Sequence, residues 1–250
     1  MDNQDDTDVM TISRASGASS VLLVCEHASH HIPSELDDLG LNEVARYSHI
    51  AWDPGALGVA RKLSKELDAT LVSSKVSRLV YDCNRPPEAK DAMPAENEAY
   101  KIPGNEALTS ADRTARTETY YKPFLRTLAA QVSSKTQPVI VTIHSFTPVY
   151  NGSAREVEIG ILHDADPRLA DAILAQADRY NVQRNAPYGP DDGVTHTLKV
   201  HGVANGHLNV MIEIRNDLIQ TEDDQSSMGM VLAAWLAKAL SQIGVVACKA

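Results

Sequence analysis

Short, continuous apolar runs alternate along this chain with longer segments whose apolar residues recur every three or four positions. Val21–Cys25 (VLLVC) and residues 138–143 (PVIVTI), 157–162 and 209–214 are runs of the first kind. They have the length and β-branched content of strands buried on both faces, and residues 70–73 add a shorter one. In the second kind, Leu57, Ala60, Leu63 and Leu67 share one helical face, with Asp53 as the expected N-cap and Pro54 at the first helical position. Residues 34–39 predict a short helix, and residues 109–134 a long one divided or kinked at Pro123. Residues 167–180 and 226–243 predict two more, the last with Leu232, Trp235, Leu236 and Leu240 on one side. Strands alternating with helices imply a mainly parallel sheet covered on both faces. The expected fold class is therefore α/β, a three-layer α/β/α arrangement in one domain over residues 19–250. Residues 1–18 are polar and small and predict a flexible tail. Residues 89–105 read as a loop that forms a lid or rim, and residues 185–207 as a Gly/Pro/His-rich connection.

Composition narrows the class of partner. With 250 residues and 43% hydrophobic positions the chain can bury a sizeable core. A net charge of -10 argues against nucleic acid or an anionic membrane, both of which need a basic face. Cys25, Cys83 and Cys248 have no paired spacing, which suits a reducing compartment. The opening MDNQDDTDVM is acidic and is followed by no apolar run, and no stretch approaches the ~20 apolar residues of a membrane helix. A cytoplasmic protein is the expectation; oligomeric state is not legible.

The chemistry gathers where the strands stop. His27 follows the first strand, His144 follows VIVTI, Glu213 lies at the end of NVMIEI, and Asp53 opens the first long helix. In open α/β sheets ligands bind at the carboxyl ends of strands. Two neutral imidazoles and a carboxylate make a three-ligand zinc site with a fourth position for water, the pattern of catalytic zinc. Glu213 is then the candidate general base. Within SRLVYDCNRPP, Arg78 and Arg85 flank Asn84 and offer forked donors to a carboxylate, which points to a small anionic substrate. The competing reading pairs Arg78 with Asp82. Arg215 and Asp217 form a supporting pair or contact the substrate, and Ser145 and Thr147 flank His144 as orienting donors. His196, His201 and His207 rank below His27 and His144.

Together, CEHASHHIP, HIAWDPGA, SRLVYDCNRPP, VTIHSFTP and VMIEIRNDLI resemble the N-formylglutamate amidohydrolase family, from Val21 to Ile219 and in the family's order. The resemblance implies a phosphorylase/hydrolase-like fold shared with zinc carboxypeptidases and with succinylglutamate desuccinylase and aspartoacylase. It implies metal-assisted hydrolysis of a small acidic N-acyl amino acid, with N-formyl-L-glutamate the expected substrate and Zn2+ the cofactor. It supports His27 and His144 as metal ligands and Glu213 as general base, and makes Asn84 and Arg85, helped by Arg78, the holders of the substrate carboxylate. Zinc carboxypeptidases place a Glu three residues after the first His, where this chain has His30. Asp53 is therefore the chosen carboxylate ligand, with Glu26 in reserve. Two rivals are a metal-free hydrolase using Cys25 or Cys83 as nucleophile and a non-catalytic binder of an acidic metabolite.

Overall fold

The computed structural model describes residues 4–6 and 8–245. Eight strands form its main sheet: β1 (Gln4–Asp6), β2 (Met10–Ser13), β3 (Val21–Cys25), β4 (Thr70–Ser74), β5 (Val139–Phe146), β6 (Ile159–Leu162), β7 (Val182–Arg184) and β8 (Leu208–Arg215). Their spatial order is β1-β2-β4-β3-β5-β8-β6-β7. The central four, β4, β3, β5 and β8, are mutually parallel, while β2 and β6 join them antiparallel on either side. Helices α1 (Ala56–Leu67), α2 (Lys122–Ser133), α3 (Arg168–Leu174) and α4 (Glu222–Gln242) complete a three-layer α/β/α fold.

Successive residues of the central strands serve two different cores, which is why VLLVC is apolar at every position. Val21, Leu23, Val141, Ile143, Val210, Ile212 and Ile214 pack on α1, α3 and α4 through Val59, Leu63, Ile173, Leu232 and Leu236. Leu22, Val24, Ile140 and Met211 face the other way, against Phe124 and Leu128 of α2 and a thick layer of loops carrying Ile50, Leu79 and Tyr81. His144 and Glu213 share the parity of Ile140 and Met211, so they point into the loop side. A slip of one residue would drive both polar groups into the apolar core beneath α1 and α4. The hydrophobic pattern that folds the sheet also aims the site.

Several boundaries move. The expected tail contributes β1 and β2, because Met10 is fully buried and Ile12 nearly so once β2 pairs with β4. β5 and β8 run past the expected ends, which places His144, expected just beyond its strand, inside β5. The long helix divides ahead of Pro123. A π turn at Thr117–Tyr121 follows the helical stretch Ser110–Arg116 and leads into α2, and its wider hydrogen bonding relieves the clash of a proline ring with the preceding turn. Residues 167–180 shorten to α3, and β7 lies just beyond. Cys248 is outside the described residues.

Asp53 is not the N-cap of α1. Gly55 takes that position with φ +82°, and a Cβ there would stand 2.4 Å from the Ile219 carbonyl oxygen. Only glycine allows this approach between the start of α1 and the end of β8, and it frees the Asp53 side chain to turn inward. Gly55→Ala is expected to lower stability by clearly more than the ~1–2 kcal/mol of left-handed strain alone. Gly152→Ala, at φ +79° with nothing within 4 Å, is the control that carries only the strain. Chemical denaturation of both variants measures the difference.

Candidate active site

Three loops and two strands converge at the carboxyl end of the parallel strands. His27 follows β3 by two residues, and its carbonyl accepts a 2.9 Å bond from the Asp53 N–H. That bond fixes the loop before α1 against the loop after β3. His144 and Glu213 are register partners across β5 and β8. The segment 77–85 is tied in through Ser77, whose hydroxyl donates to the Ala51 carbonyl at 2.7 Å.

At the centre lies the Asp53 carboxylate. Its Oδ2 is 3.2 Å from His27 Nδ1, 3.0 Å from His144 Nδ1 and 3.2 Å from the Ser145 N–H. The two Nδ1 atoms are themselves 3.2 Å apart. Each imidazole turns its other nitrogen to a second buried carboxylate: His27 Nε2 to Asp82 Oδ1 at 2.8 Å, and His144 Nε2 to Glu26 Oε2 at 3.1 Å. Arg78 closes the group, donating to Asp82 Oδ2 at 2.7 Å and reaching Asp53 Oδ1 at 3.5 Å. Asp53, Asp82, Glu26 and both histidines are at most 3% exposed.

This constellation fits a metal ion. A tetrahedral ion with bonds of about 2.0–2.1 Å holds its donors about 3.3–3.4 Å apart, within a few tenths of an ångström of the observed triangle. The backing carboxylates supply the outer contacts that orient ligating histidines and set their tautomers. His27, Asp53 and His144, the three residues expected as donors, each offer one ligand atom here, and together they could hold such an ion. Glu26, the reserve ligand, stands behind His144 instead.

Charges in the group are strongly interdependent. Burial opposes ionisation of Asp53, but His27 and His144 outweigh it and hold the carboxyl far below its usual range. His27 and Arg78 do the same for Asp82. Burial also opposes charge on His144, yet Glu26 and Asp53 push its pKa well upward; Asp82 and Asp53 raise His27 against burial and Arg78. Glu213 is the exception. Burial dominates and lifts its pKa to about 7, Asp53 adding to the effect, while His144, His27 and Arg78 pull the other way. Its Oε2 has no hydrogen-bond partner among the described residues.

A cavity of about 330 Å3 opens onto this centre, lined by His27, Asp53, His144, Glu213, Arg78, Asn84 and Arg85 among others. That is the lower end of small-ligand sites. Asn84 lies at the wall with both side-chain ends engaged, donating to the Val194 carbonyl at 2.5 Å and accepting from the Thr197 N–H at 2.9 Å. Arg85 donates from Nε to Asp91 at 2.6 Å and from Nη1 to the Asn84 carbonyl at 3.0 Å. Residues 89–105 do form a rim, with Asp91, Glu96, Asn97 and Glu98 in the lining and a two-stranded ribbon pairing Glu96–Asn97 with Tyr100–Lys101.

Other expectations are corrected. Arg215 does not line the cavity: its donors go to Asp217 at 2.8 Å and the Arg155 carbonyl at 3.0 Å, which makes it a support. Ser145 orients Asp53 rather than His144. His30 packs against Tyr47 and Trp52, and His196 bonds Tyr121. Burial pushes the thiols of Cys25 and Cys83 well above their ordinary pKa, and neither lines the cavity, so the cysteine rival lacks a nucleophile. The group that sequence reasoning missed is Asp82. It was visible only as the Arg78 partner at i, i+4, and it serves His27 as well.

Fold and site together define a hydrolase-like α/β/α protein with a buried His-Asp-His cluster at the strand ends that could hold a cation. The chain belongs to the N-formylglutamate amidohydrolase family, whose model matches residues 19–220. It is similar to the gene product Atu2144 from Agrobacterium tumefaciens, a crystal structure 53% identical with a TM-score of 0.93 over 95% of this chain and 96% of that one. The N-formylglutamate amidohydrolase from Ralstonia eutropha shares its fold at 18% identity, TM-score 0.62, over 96% of this chain and 100% of that one. No curated protein matches the sequence. No helix among the described residues is long and apolar enough to cross a membrane.

A cation held at the triangle would compete with protons, which gives its binding a pH sign. His27 and His144 hold their protons above the ordinary value of 6.5, and a metal must displace them. Divalent-ion affinity is therefore expected to fall as pH drops through the raised values, by about tenfold per pH unit for each proton released. Calorimetry in buffers of different ionisation enthalpy counts those protons.

Proposed function

We propose that this protein is a zinc-dependent amidohydrolase that cleaves the amide of a small acidic N-acyl amino acid, N-formyl-L-glutamate being the substrate its family name points to. The observation that carries this reading is the His27–Asp53–His144 triangle beside a buried, unpartnered Glu213 in one cavity. Bound at the three donors, zinc supplies Lewis acidity toward the amide carbonyl and acidifies water.

The protein's own groups do the rest. Glu213 takes a proton from the attacking water as the oxygen adds to the acyl carbon. Its raised pKa makes it a carboxylate that accepts a proton near neutrality and can return it. When the C–N bond breaks, Glu213 gives that proton to the leaving amine and the acyl group departs as a carboxylate. Arg78, fixed by Asp82 and Asp53, places positive charge beside the carbonyl oxygen as it becomes negative. Arg85 receives the α-carboxylate through Nη2, the one of its donors not engaged among the described residues.

The binder reading predicts ligand affinity without turnover, so the two readings part at Glu213. Glu213→Gln is expected to cut kcat by about 10²–10⁴-fold while binding survives; turnover near the wild-type rate sinks the mechanism. In the wild type, kcat/KM falls on acidification as Glu213 is protonated near pH 7, a limb absent from the variant. A chelator should abolish hydrolysis of N-formyl, N-acetyl and N-succinyl amino acids and added zinc should restore it; chelator-insensitive turnover refutes the metal.

A further inference from the structure

Two guanidinium groups, Arg78 and Arg85, line the cavity and a third, Arg155, stands behind its wall; they differ in how their charge is balanced. Arg78 is ion-paired with Asp82 and Asp53, and Arg85 with Asp91. Arg155 has no carboxylate within ion-pair distance among the described residues. Its Nη2 donates to the Tyr188 hydroxyl oxygen at 2.9 Å and its Nη1 to the Thr147 carbonyl at 3.3 Å. The rest of its surroundings is aromatic. The guanidinium carbon lies 4.5 Å from the Tyr150 ring centre, 4.9 Å from Tyr188 and 5.4 Å from Phe146. Phe146, Tyr150 and Tyr188 all line the cavity. A positive charge balanced only by dipoles and π faces therefore backs this part of the wall, while Asp91, Glu96 and Glu98 lie elsewhere in the lining.

The group is built to stay in place. The Arg155 N–H donates to the Pro148 carbonyl at 2.8 Å, closing the base of the ribbon that pairs Val149–Tyr150 with Ser153–Ala154. Its own carbonyl is gripped by Arg215, which Asp217 and Glu158 hold from behind. Because the Tyr188 oxygen accepts from Arg155, its hydroxyl proton is left to donate to a ligand.

We infer that Arg155 is a specificity-determining positioning residue: it presents the Tyr188 hydroxyl, and its own unbalanced charge, to a second carboxylate on the substrate. Arg85 takes the α-carboxylate, and the Tyr188–Tyr150 wall takes the carboxylate of the side chain. The inference rests on the reading that the cavity holds an N-acyl amino acid. It adds the device that separates an acidic side chain from its neutral isostere.

The test compares L-glutamate with L-glutamine, equal in shape and different in charge, by calorimetric titration into the zinc-loaded protein. Wild type is expected to bind L-glutamate about 10–100-fold tighter, the range of one charge-assisted hydrogen bond. Arg155→Met should abolish that preference, Tyr188→Phe should reduce it, and Arg155→Lys should keep part of it, with L-glutamine affinity unchanged in the two Arg155 variants. A purely structural Arg155 would weaken both ligands together. Loss of both in Arg155→Met, an undiminished preference in Arg155→Met, or none in wild type each overturns the inference. Should Arg155→Met fail to fold, Tyr188→Phe decides, an unchanged preference overturning it. A charge preference that Arg155→Met removes, in a protein that hydrolyses no N-acyl glutamate, upholds the subsite and refutes the amidohydrolase reading instead.

Discussion

One buried carboxylate organises this molecule. Asp53 is 3% exposed, and an ionised acid taken so far from water is costly by several kcal/mol unless its lone pairs are met. Here the two imidazoles, the Ser145 N–H and Arg78 meet them. Those partners come from the loop after β3, from β5 and from the segment following β4. The fold must bring all of them together before the charge is tolerable, so the same contact that shapes the site also locks three chain segments to one another.

The surrounding charges repeat this logic. His27, His144 and Arg78 lower the pKa values of Glu26, Asp53 and Asp82, and the carboxylates in turn raise those of the two histidines. In such a group positive and negative charges stay matched while all of them are out of water. Glu213 lies outside the balance. Burial raises its pKa to about 7, which sets it apart from the carboxylates held far below their usual range around it. Similar carboxylates in one cavity thus acquire different chemistry from their neighbours.

Beyond this centre the walls divide the remaining work. Asn84 fastens segment 194–197, Arg85 is aimed by Asp91, and Arg155 is boxed by three rings. Arg215, two residues past Glu213 on β8, stabilises the wall from outside the cavity. Positioning residues therefore extend the site well past the atoms that meet substrate.

Local pattern was enough to settle the layers and the parallel core, and it picked out His27, Asp53, His144 and Glu213, which the fold brings to one cavity. Continuous apolar runs admit only strands buried on two faces, and polar groups at their ends have nowhere to go but the ligand-binding edge. The pattern failed where partners lie far apart along the chain. β2 looked like tail because four residues show no period, and burial arrived only through pairing with β4. Asp82 and Glu26 as backers of the histidines, Arg215 as a support and Arg155 as a caged cation all depend on contacts across dozens of residues, which no spacing encodes. The sequence determined which groups reach the strand ends. Tertiary structure decided which of them share a carboxylate, because that depends on how loops from separate strands pack over the loop-side face of the sheet.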